Sequence, residues 1–277
     1  MTCYHWLASY PKSGNTWLRL SLGSLARGGT PPDFAAVELF APVAGDRAAV
    51  DDMADADTAD LTPAEAEAVL PGFFRLEAAW LGGQQLRKVH DAWTLTPAGE
   101  PLFPPDVTAG AIYVVRDPRD VAVSLAHHLS TGIDQAIAFM ADDGAALARG
   151  GHYGSPQLRQ RLLTWGGHVR SWLGAPARPL LLRYEDMLAD PAAALARAAR
   201  HLGWEPRPGA VARAVAATRF DTLRAAEERH GFRERAWPDV RFFRRGVAGG
   251  WRDTLTAPQA AAIEAAHRDV MAELGYL

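Results

Sequence analysis

Cysteine is almost missing from this chain: Cys3 stands alone among 277 residues. One thiol excludes an intramolecular disulfide framework and a cysteine-rich zinc site, and it fits a reducing, cytoplasmic compartment. Long hydrophobic runs are missing too. No stretch of about 18 apolar residues occurs, and no basic N-terminal region precedes an apolar one, so a soluble, unprocessed chain outside the membrane is expected. Neither sign of charge dominates, with 29 Lys and Arg against 32 Asp and Glu for a net of −3. That balance argues against nucleic acid or an anionic membrane as the main partner, and any anion site must be local. Internal repeats are also absent.

Apolar residues make up 48% of the chain. A chain of this length and composition buries about three-quarters of its unfolded surface and approaches the upper limit for one hydrophobic core. A single domain over residues 1–277, with elaborated loops, is therefore expected. The abundance of alanine and arginine points to a GC-rich genome and says nothing about chemistry.

Short apolar runs alternate with longer helical patterns, which predicts an α/β fold with a mainly parallel central sheet flanked by helices. The strand candidates are 4–9, 86–90, 111–115 and 180–184. Helical periodicity follows at about 16–26, 119–128, 158–173, 192–202 and 258–274. Two stretches break the pattern. Residues 41–68 are rich in Ala and Asp and read as a solvated loop with room for one short helix. Residues 229–250 combine Arg229, Arg233, Arg235, Arg241, Arg244 and Arg245 with aromatics and read as a long loop that gains order by binding an anion.

The first strand candidate runs directly into Tyr10-Pro11-Lys12-Ser13-Gly14-Asn15-Thr16-Trp17, and an amphipathic helix follows. A strand, a tight glycine-containing turn and a helix N-terminus form an anion cradle, because free backbone N–H groups converge there and the helix dipole favours negative charge. The dipole contributes only about 0.3–2 kcal/mol. Lys12 must supply the full charge, and Ser13, Asn15 and Thr16 add donors. The order of lysine and glycine disfavours the ATP-binding G-x-x-x-x-G-K-[ST] loop, in which lysine follows the glycines. A surface turn with one lysine is the plainer reading of the same residues.

A second constellation, Arg116-Asp117-Pro118-Arg119-Asp120, follows the run 111–115. Pro118 suits the first helical position with Asp117 as cap, which leaves Arg116 at a strand's carboxyl end and Ser124 within the first turns of the next helix. Ligands of open parallel sheets bind beyond those ends, and Lys12, His90, Arg116 and Tyr184 all fall there. Lys88 and His90 lie two apart on a strand candidate and share a face, presenting a cation beside a titratable base. Taken alone, such a histidine is more often a structural residue. The remaining histidines, including His127 and His128, form no zinc motif and read as structural.

Together these residues resemble the PAPS-dependent sulfotransferase superfamily, in its cytosolic type and its bacterial, natural-product branch, from Tyr10 to about Thr256. Tyr10 to Trp17 looks like that family's 5′-phosphosulfate loop, with Asn15 where many members carry threonine. Arg116 to Ser124, reading RDPRDVAVS, is similar to its 3′-phosphate-binding strand and helix. Leu182 to Met187 resembles a further family segment, and Arg244-Arg245-Gly246 through Gly249-Gly250-Trp251-Arg252 resembles the C-terminal RKG-x-x-G-x-W element.

The resemblance implies 3′-phosphoadenosine 5′-phosphosulfate (PAPS) as co-substrate without a metal, and a small-molecule hydroxyl as acceptor. Lys12 would contact the bridging oxygen and the leaving 5′-phosphate, with Ser13, Gly14, Asn15 and Thr16 around it. Trp17 would stack on adenine, with Tyr184 and Thr218 nearby, and Arg116, Ser124, Arg244, Arg245 and Gly246 would hold the 3′-phosphate. His90 would be the general base, and Lys88 would neutralise charge on the sulfuryl oxygens. Acceptor choice would lie in residues 30–85, 129–157 and 219–243. Dimerisation through the family's K-x-x-x-T-V-x-x-x-E segment is not expected, because only Arg252 and Thr256 remain and Ala257 and Ala261 replace its valine and glutamate. A nucleotide kinase-like phosphotransferase and an inactive nucleotide-binding homologue are the competing readings.

Overall fold

The computed structural model describes residues 3–34, 40–55, 57–148, 156–235 and 240–277. Its strands are β1 (Cys3–Ser9), β2 (Gln84–Val89), β3 (Thr108–Val115), β4 (Ala146–Leu147), β5 (Gln160–Arg161) and β6 (Leu180–Arg183). The helices are α1 (Asn15–Ala26), α2 (Arg47–Ala54), α3 (Pro63–Leu81), α4 (Pro118–Leu129), α5 (Ile133–Met140), α6 (Trp165–Leu173), α7 (Tyr184–Ala189), α8 (Pro191–His201), α9 (Ala210–Ala217), α10 (Phe220–His230) and α11 (Ala257–Glu273). Short 3-10 turns cover Thr58–Asp60, Pro105–Val107 and Gly250–Asp253.

The four expected strands form one sheet in the order β2-β1-β3-β6. β1 and β2 are parallel, with Cys3 opposite Gln84 and Ala8 opposite Val89. β1 ends before the turn that carries Lys12, β2 before His90 and β3 before Arg116, and ligands of open α/β sheets bind beyond such carboxyl ends. A small antiparallel pair, β4 and β5, stands apart from it.

Three expectations need correction. Residues 41–68 are mostly helical: α2, a 3-10 turn and the start of α3 follow one another. Two of their aspartates act as caps, Asp46 accepting from the Ala49 amide and Asp57 from that of Ala59, while Thr62 and Glu65 form a capping box. Acidic residues that look like loop solvation in composition thus start helices, by satisfying first-turn N–H groups. The helix expected over 158–173 begins only at Trp165, because Leu163 takes a left-handed φ of 61° and Thr164 caps the Gly167 amide. Tyr184, expected to close a strand, opens α7 instead.

The chain forms two compact units: Met1–Tyr10, Ala41–Tyr113 and Phe139–Leu181 in one, and Pro11–Phe40, Val114–Ala138 and Leu182–Leu277 in the other. The first unit is built on aromatics. Trp6 stacks on Tyr4 with ring centroids 4.6 Å apart and tilts against Phe103 at 4.9 Å, and Phe103 meets Trp172 at 5.3 Å. Their polar ends are answered too, Trp6 Nε1 donating to Thr108 Oγ1 and Trp172 Nε1 to the Asp91 carbonyl, as buried indoles require.

In the second unit Leu20, Phe34, Leu223, Phe232 and Phe243 make a core cluster, with Trp17, Phe220 and Phe242 packed against it. Three of these phenylalanines belong to the basic segment 229–250. The described parts of that segment are therefore held by the protein itself, and its residues 236–239 lie outside the described residues. Glu227, buried at the end of α10, accepts from Arg235 Nε at 2.6 Å and from the amides of Phe242 and Phe243. Its carboxylate sets the path of the loop.

Candidate active site

β1 ends at Ser9, and the turn Tyr10 to Gly14 leads into α1. Lys12 adopts φ 69° and Gly14 φ 107°. Only glycine fits position 14, because a Cβ there would lie 2.6 Å from Cδ2 of Tyr184. No side chain caps α1 at Gly14, and an uncapped helix N-terminus favours an anion. Ser13 Oγ is fully buried and lacks a hydrogen-bond partner among the described residues. A buried orphan hydroxyl is costly and calls for a partner; an anionic oxygen in this turn would supply it.

The other donors of the turn are engaged. Lys12 Nζ sits 4.4 Å from the centroid of the Phe242 ring. Thr16 Oγ1 donates to Glu234 at 2.7 Å, and the buried Arg19 pairs with the same carboxylate at 2.6 Å. Asn15 is buried as the first residue of α1.

Asp117 caps α4 and Pro118 stands at its first position, as the sequence predicts. Arg116 donates to the carbonyls of Lys12 at 3.2 Å and Val247 at 2.9 Å, and its guanidinium lies 4.4 Å over the Tyr184 ring. Its buried Nε has no partner among the described residues. Arg116 thus ties the phosphate turn to the C-terminal element while keeping one donor in reserve.

Asp120 does the complementary work, which the sequence reading missed: its carboxylate accepts from the amides of Gly249 at 2.7 Å and Trp251 at 2.9 Å. The signal for it was present in the repeated Asp of RDPRD, one helical turn after Arg116.

Lys12, Ser124, His127, His128, Arg241 and Arg244 line one pocket within the second unit. No carboxylate ion-pairs with Arg244 among the described residues, and burial together with the nearby Arg245 and Arg116 pulls its pKa down. His127, read as structural, reaches this pocket; its spacing of three from Ser124 on a helix was the available signal. Burial, Arg244 and Lys12 each lower its pKa. This cluster of cations is what a polyanion would complement.

Arg245 pairs with Asp253 at 3.1 Å. Gly246 takes φ 63°, and a Cβ on it would lie 2.2 Å from the Phe220 ring, so the turn after the arginines requires glycine. Trp17 Nε1 donates to the Thr218 carbonyl at 3.0 Å and its ring meets Tyr184 edge-on at 6.0 Å. The Thr218 hydroxyl points into the core, bonded to the Ala214 carbonyl and to Ser21 Oγ. Only its backbone faces Trp17.

Lys88 and His90 belong to the first unit. Lys88 is buried in β2, its backbone bonded to Pro42 and Ala44. His90 follows the end of β2, and its Nδ1 lies 2.8 Å from the Ser9 carbonyl oxygen and 3.4 Å from Ser9 Oγ. A carbonyl oxygen only accepts, so Nδ1 carries the proton.

A glycine turn at a helix N-terminus and a pocket lined by cations, on an α/β scaffold, define a class of protein suited to binding an anion. The sulfotransferase domain model matches residues 101–275, more than half of the chain, and the chain belongs to that family. It is 28% identical over 178 residues to Arabidopsis thaliana cytosolic sulfotransferase 16, covering 60% of this chain and 52% of that protein. It is 28% identical over 171 residues to human sulfotransferase 2B1, covering 59% and 44%. The chain thus spans about half the length of the curated relatives it matches.

Among solved structures, mouse sulfotransferase SULT7A1 complexed with PAP superposes with a TM-score of 0.59 at 20% identity, covering 96% of this chain and 84% of that one. Retinol dehydratase in complex with retinol and PAP superposes with a TM-score of 0.62 at 22% identity, covering 97% and 81%. The fold is shared with both.

Proposed function

We propose that this chain transfers the sulfuryl group of PAPS to a hydroxyl of a small-molecule acceptor, with His90 as general base. The observation that carries the reading is the second unit's anion site: a glycine turn with a buried, partnerless Ser13 Oγ, and a pocket lined by Lys12, Ser124 and Arg244. These residues fit a nucleotide with more than one phosphate. When bound, PAPS supplies an activated sulfuryl group and a bisphosphate leaving group.

The chain's residues divide the remaining work. His90 Nε2 takes the acceptor's hydroxyl proton as the oxygen attacks; its Nδ1 proton, held on the Ser9 carbonyl, keeps that lone pair available. Lys12 and the first-turn amides stabilise charge on the departing phosphate, with Ser13 Oγ donating, and Lys88 neutralises the sulfuryl oxygens. Arg116, Ser124 and Arg244 hold the 3′-phosphate, and Trp17 and Tyr184 flank the adenine. Arg245 and Gly246 join them at the 3′-phosphate, Gly246 through its turn geometry, and Thr218 stands near the adenine through its backbone, its hydroxyl being bonded in the core. Positioning and fixed charge suffice for a loose, in-line transfer, so the reading needs no metal. The retinol in one neighbour's complex is a small alcohol and supports an acceptor of that class; a natural product with a free hydroxyl is the reading favoured here.

The test incubates the protein with PAPS and a library of phenols, alcohols and glycosylated natural products and detects the mass of one added sulfuryl group. Product is expected with EDTA present and is expected to vanish in His90→Ala, which still binds adenosine 3′,5′-bisphosphate. Loss of turnover in EDTA with recovery in Mg²⁺ would instead favour a phosphotransferase.

A further inference from the structure

His90 lies beyond the last residue of β2, where the strand ladder no longer holds the backbone. Its carbonyl is nevertheless bonded: His168 Nε2 lies 3.0 Å from it. The carbonyl can only accept, so His168 carries its proton on Nε2, and its Nδ1 must accept. The Tyr113 hydroxyl meets that nitrogen at 2.8 Å and is the donor. Both residues are fully buried, Tyr113 on β3 and His168 on α6. The proton direction is fixed at each step, from Tyr113 to His168 to the carbonyl of His90, and from His90 Nδ1 to Ser9.

Helix α6 holds the residues after His90 as well. Trp172 Nε1 donates to the Asp91 carbonyl at 2.9 Å, and the Trp93 amide donates to Ser171 Oγ at 3.0 Å. The edge of Tyr10 covers the His168 ring with centroids 5.4 Å apart. A buried imidazole used only for filling would leave two polar atoms to desolvate without return; here both are spent on one chain that ends at residue 90.

We propose that His168, oriented by Tyr113, is a positioning residue for His90: it anchors the backbone of residue 90 so that its ring stays on the Ser9 carbonyl and its Nε2 keeps one direction. The proposal rests on the reading of His90 as general base. Burial agrees with it by driving the His168 pKa down to about 4, so that the ring stays neutral and its tautomer stays set at working pH. His168 itself touches neither nucleotide nor acceptor in this scheme. The same constraint narrows the positions open to the His90 ring.

The experiment is nitrogen-15 NMR of the histidine rings in the full-length protein, with the His90 signals assigned by their disappearance in His90→Ala. Wild type is expected to show His90 as the Nδ1–H tautomer with a slowly exchanging Nδ1 proton. In His168→Leu that protected proton should be lost and the two tautomers should mix. His168→Gln, whose amide NH₂ can reach the His90 carbonyl, should restore the wild-type pattern. Tyr113→Phe, nearly isosteric, serves if His168→Leu does not fold, and should also loosen the His90 tautomer. Binding of adenosine 3′,5′-bisphosphate is expected to stay within about twofold of wild type in each folded variant.

His90 signals that superimpose on wild type in folded His168→Leu or Tyr113→Phe overturn the proposal. So does a failure of His168→Gln to restore them. These readouts do not depend on turnover, whereas the reading of His90 as base stands or falls on whether His90→Ala forms product.

Discussion

The Thr16 hydroxyl donates to the Glu234 carboxylate at 2.7 Å across 218 residues of sequence. Arg19, buried beneath it, pairs with the other oxygen of the same carboxylate at 2.6 Å. A carboxylate from the basic segment thus occupies a donor that the family resemblance places around the 5′-phosphate. One hydroxyl proton cannot serve both acceptors, and the negative charge of Glu234 opposes an incoming anion. Glu234→Gln should therefore tighten adenosine 3′,5′-bisphosphate binding by about tenfold, on the scale of one charge-assisted hydrogen bond. Calorimetric titration checks this; an unchanged or weaker affinity in the folded variant means that Thr16 and the nucleotide do not compete.

The 3′-phosphate separates a PAPS enzyme from a binder of any adenine nucleotide. Arg116, Ser124 and Arg244 come from distant parts of the chain, and Arg244 is a cation whose charge burial and neighbouring arginines disfavour. Removing the phosphate that answers them should weaken binding by at least about a hundredfold, taking roughly 1.5–3 kcal/mol per charge-assisted bond. Adenosine 3′,5′-bisphosphate is compared with adenosine 5′-monophosphate on wild type, Arg116→Ala and Ser124→Ala. Affinities within about threefold on wild type would remove the site as assigned.

Gly14 carries a steric requirement that can be tested without any ligand. At φ 107° an alanine costs about 1–2 kcal/mol for the left-handed backbone, and its Cβ would lie 2.6 Å from the Tyr184 ring. Tyr184 must then move off Arg116, which it stacks on at 4.4 Å. We expect Gly14→Ala to lower unfolding free energy by at least about 2 kcal/mol in urea and to weaken bisphosphate binding. A fully stable Gly14→Ala would mean that the turn is not strained as described.

Burial pushes the Asp91 carboxyl up to about 7. In the unfolded chain it titrates near 3.9, so between about pH 4 and pH 7 the unfolded state has released a proton that the folded state keeps. Asp91 therefore lowers stability as pH rises through that window, and the loss is complete above it. Asp91→Asn removes this opposition. Its stability relative to wild type should rise by up to about 1.4 kcal/mol per pH unit from pH 4 to 7 and then level off. Urea unfolding at several pH values measures the slope, which is independent of any constant packing offset; a difference that does not vary with pH would count against a buried, protonated Asp91.

The parts of this protein that the sequence by itself determined are those set by neighbours along the chain. The strand, glycine turn and helix at 3–26, the Asp117 cap with Pro118 behind it, and the four strands of the central sheet all follow from periodicity, turn chemistry and capping within a few residues. Family motifs of the same local kind singled out Lys12 and Arg116 after strand ends, Ser124 in the first turns of α4 and Arg244 in the C-terminal loop. The tertiary structure alone decided which donors meet which acceptors.

No local pattern distinguishes an aspartate that caps a helix at 46 or 57 from one that solvates a loop, because the difference is whether a free amide lies within reach. Nor does it show that Glu234 sits on Thr16, that Phe242 covers Lys12, that Asp120 gathers the C-terminal glycine element, or that His168 holds His90. Each of those contacts joins residues 78 to 230 positions apart, as the pairs 90–168 and 12–242 mark at the two extremes. Hydrogen bonds and ring contacts depend on distances of a few ångströms, and for residues so far apart in sequence only the packed chain sets such distances.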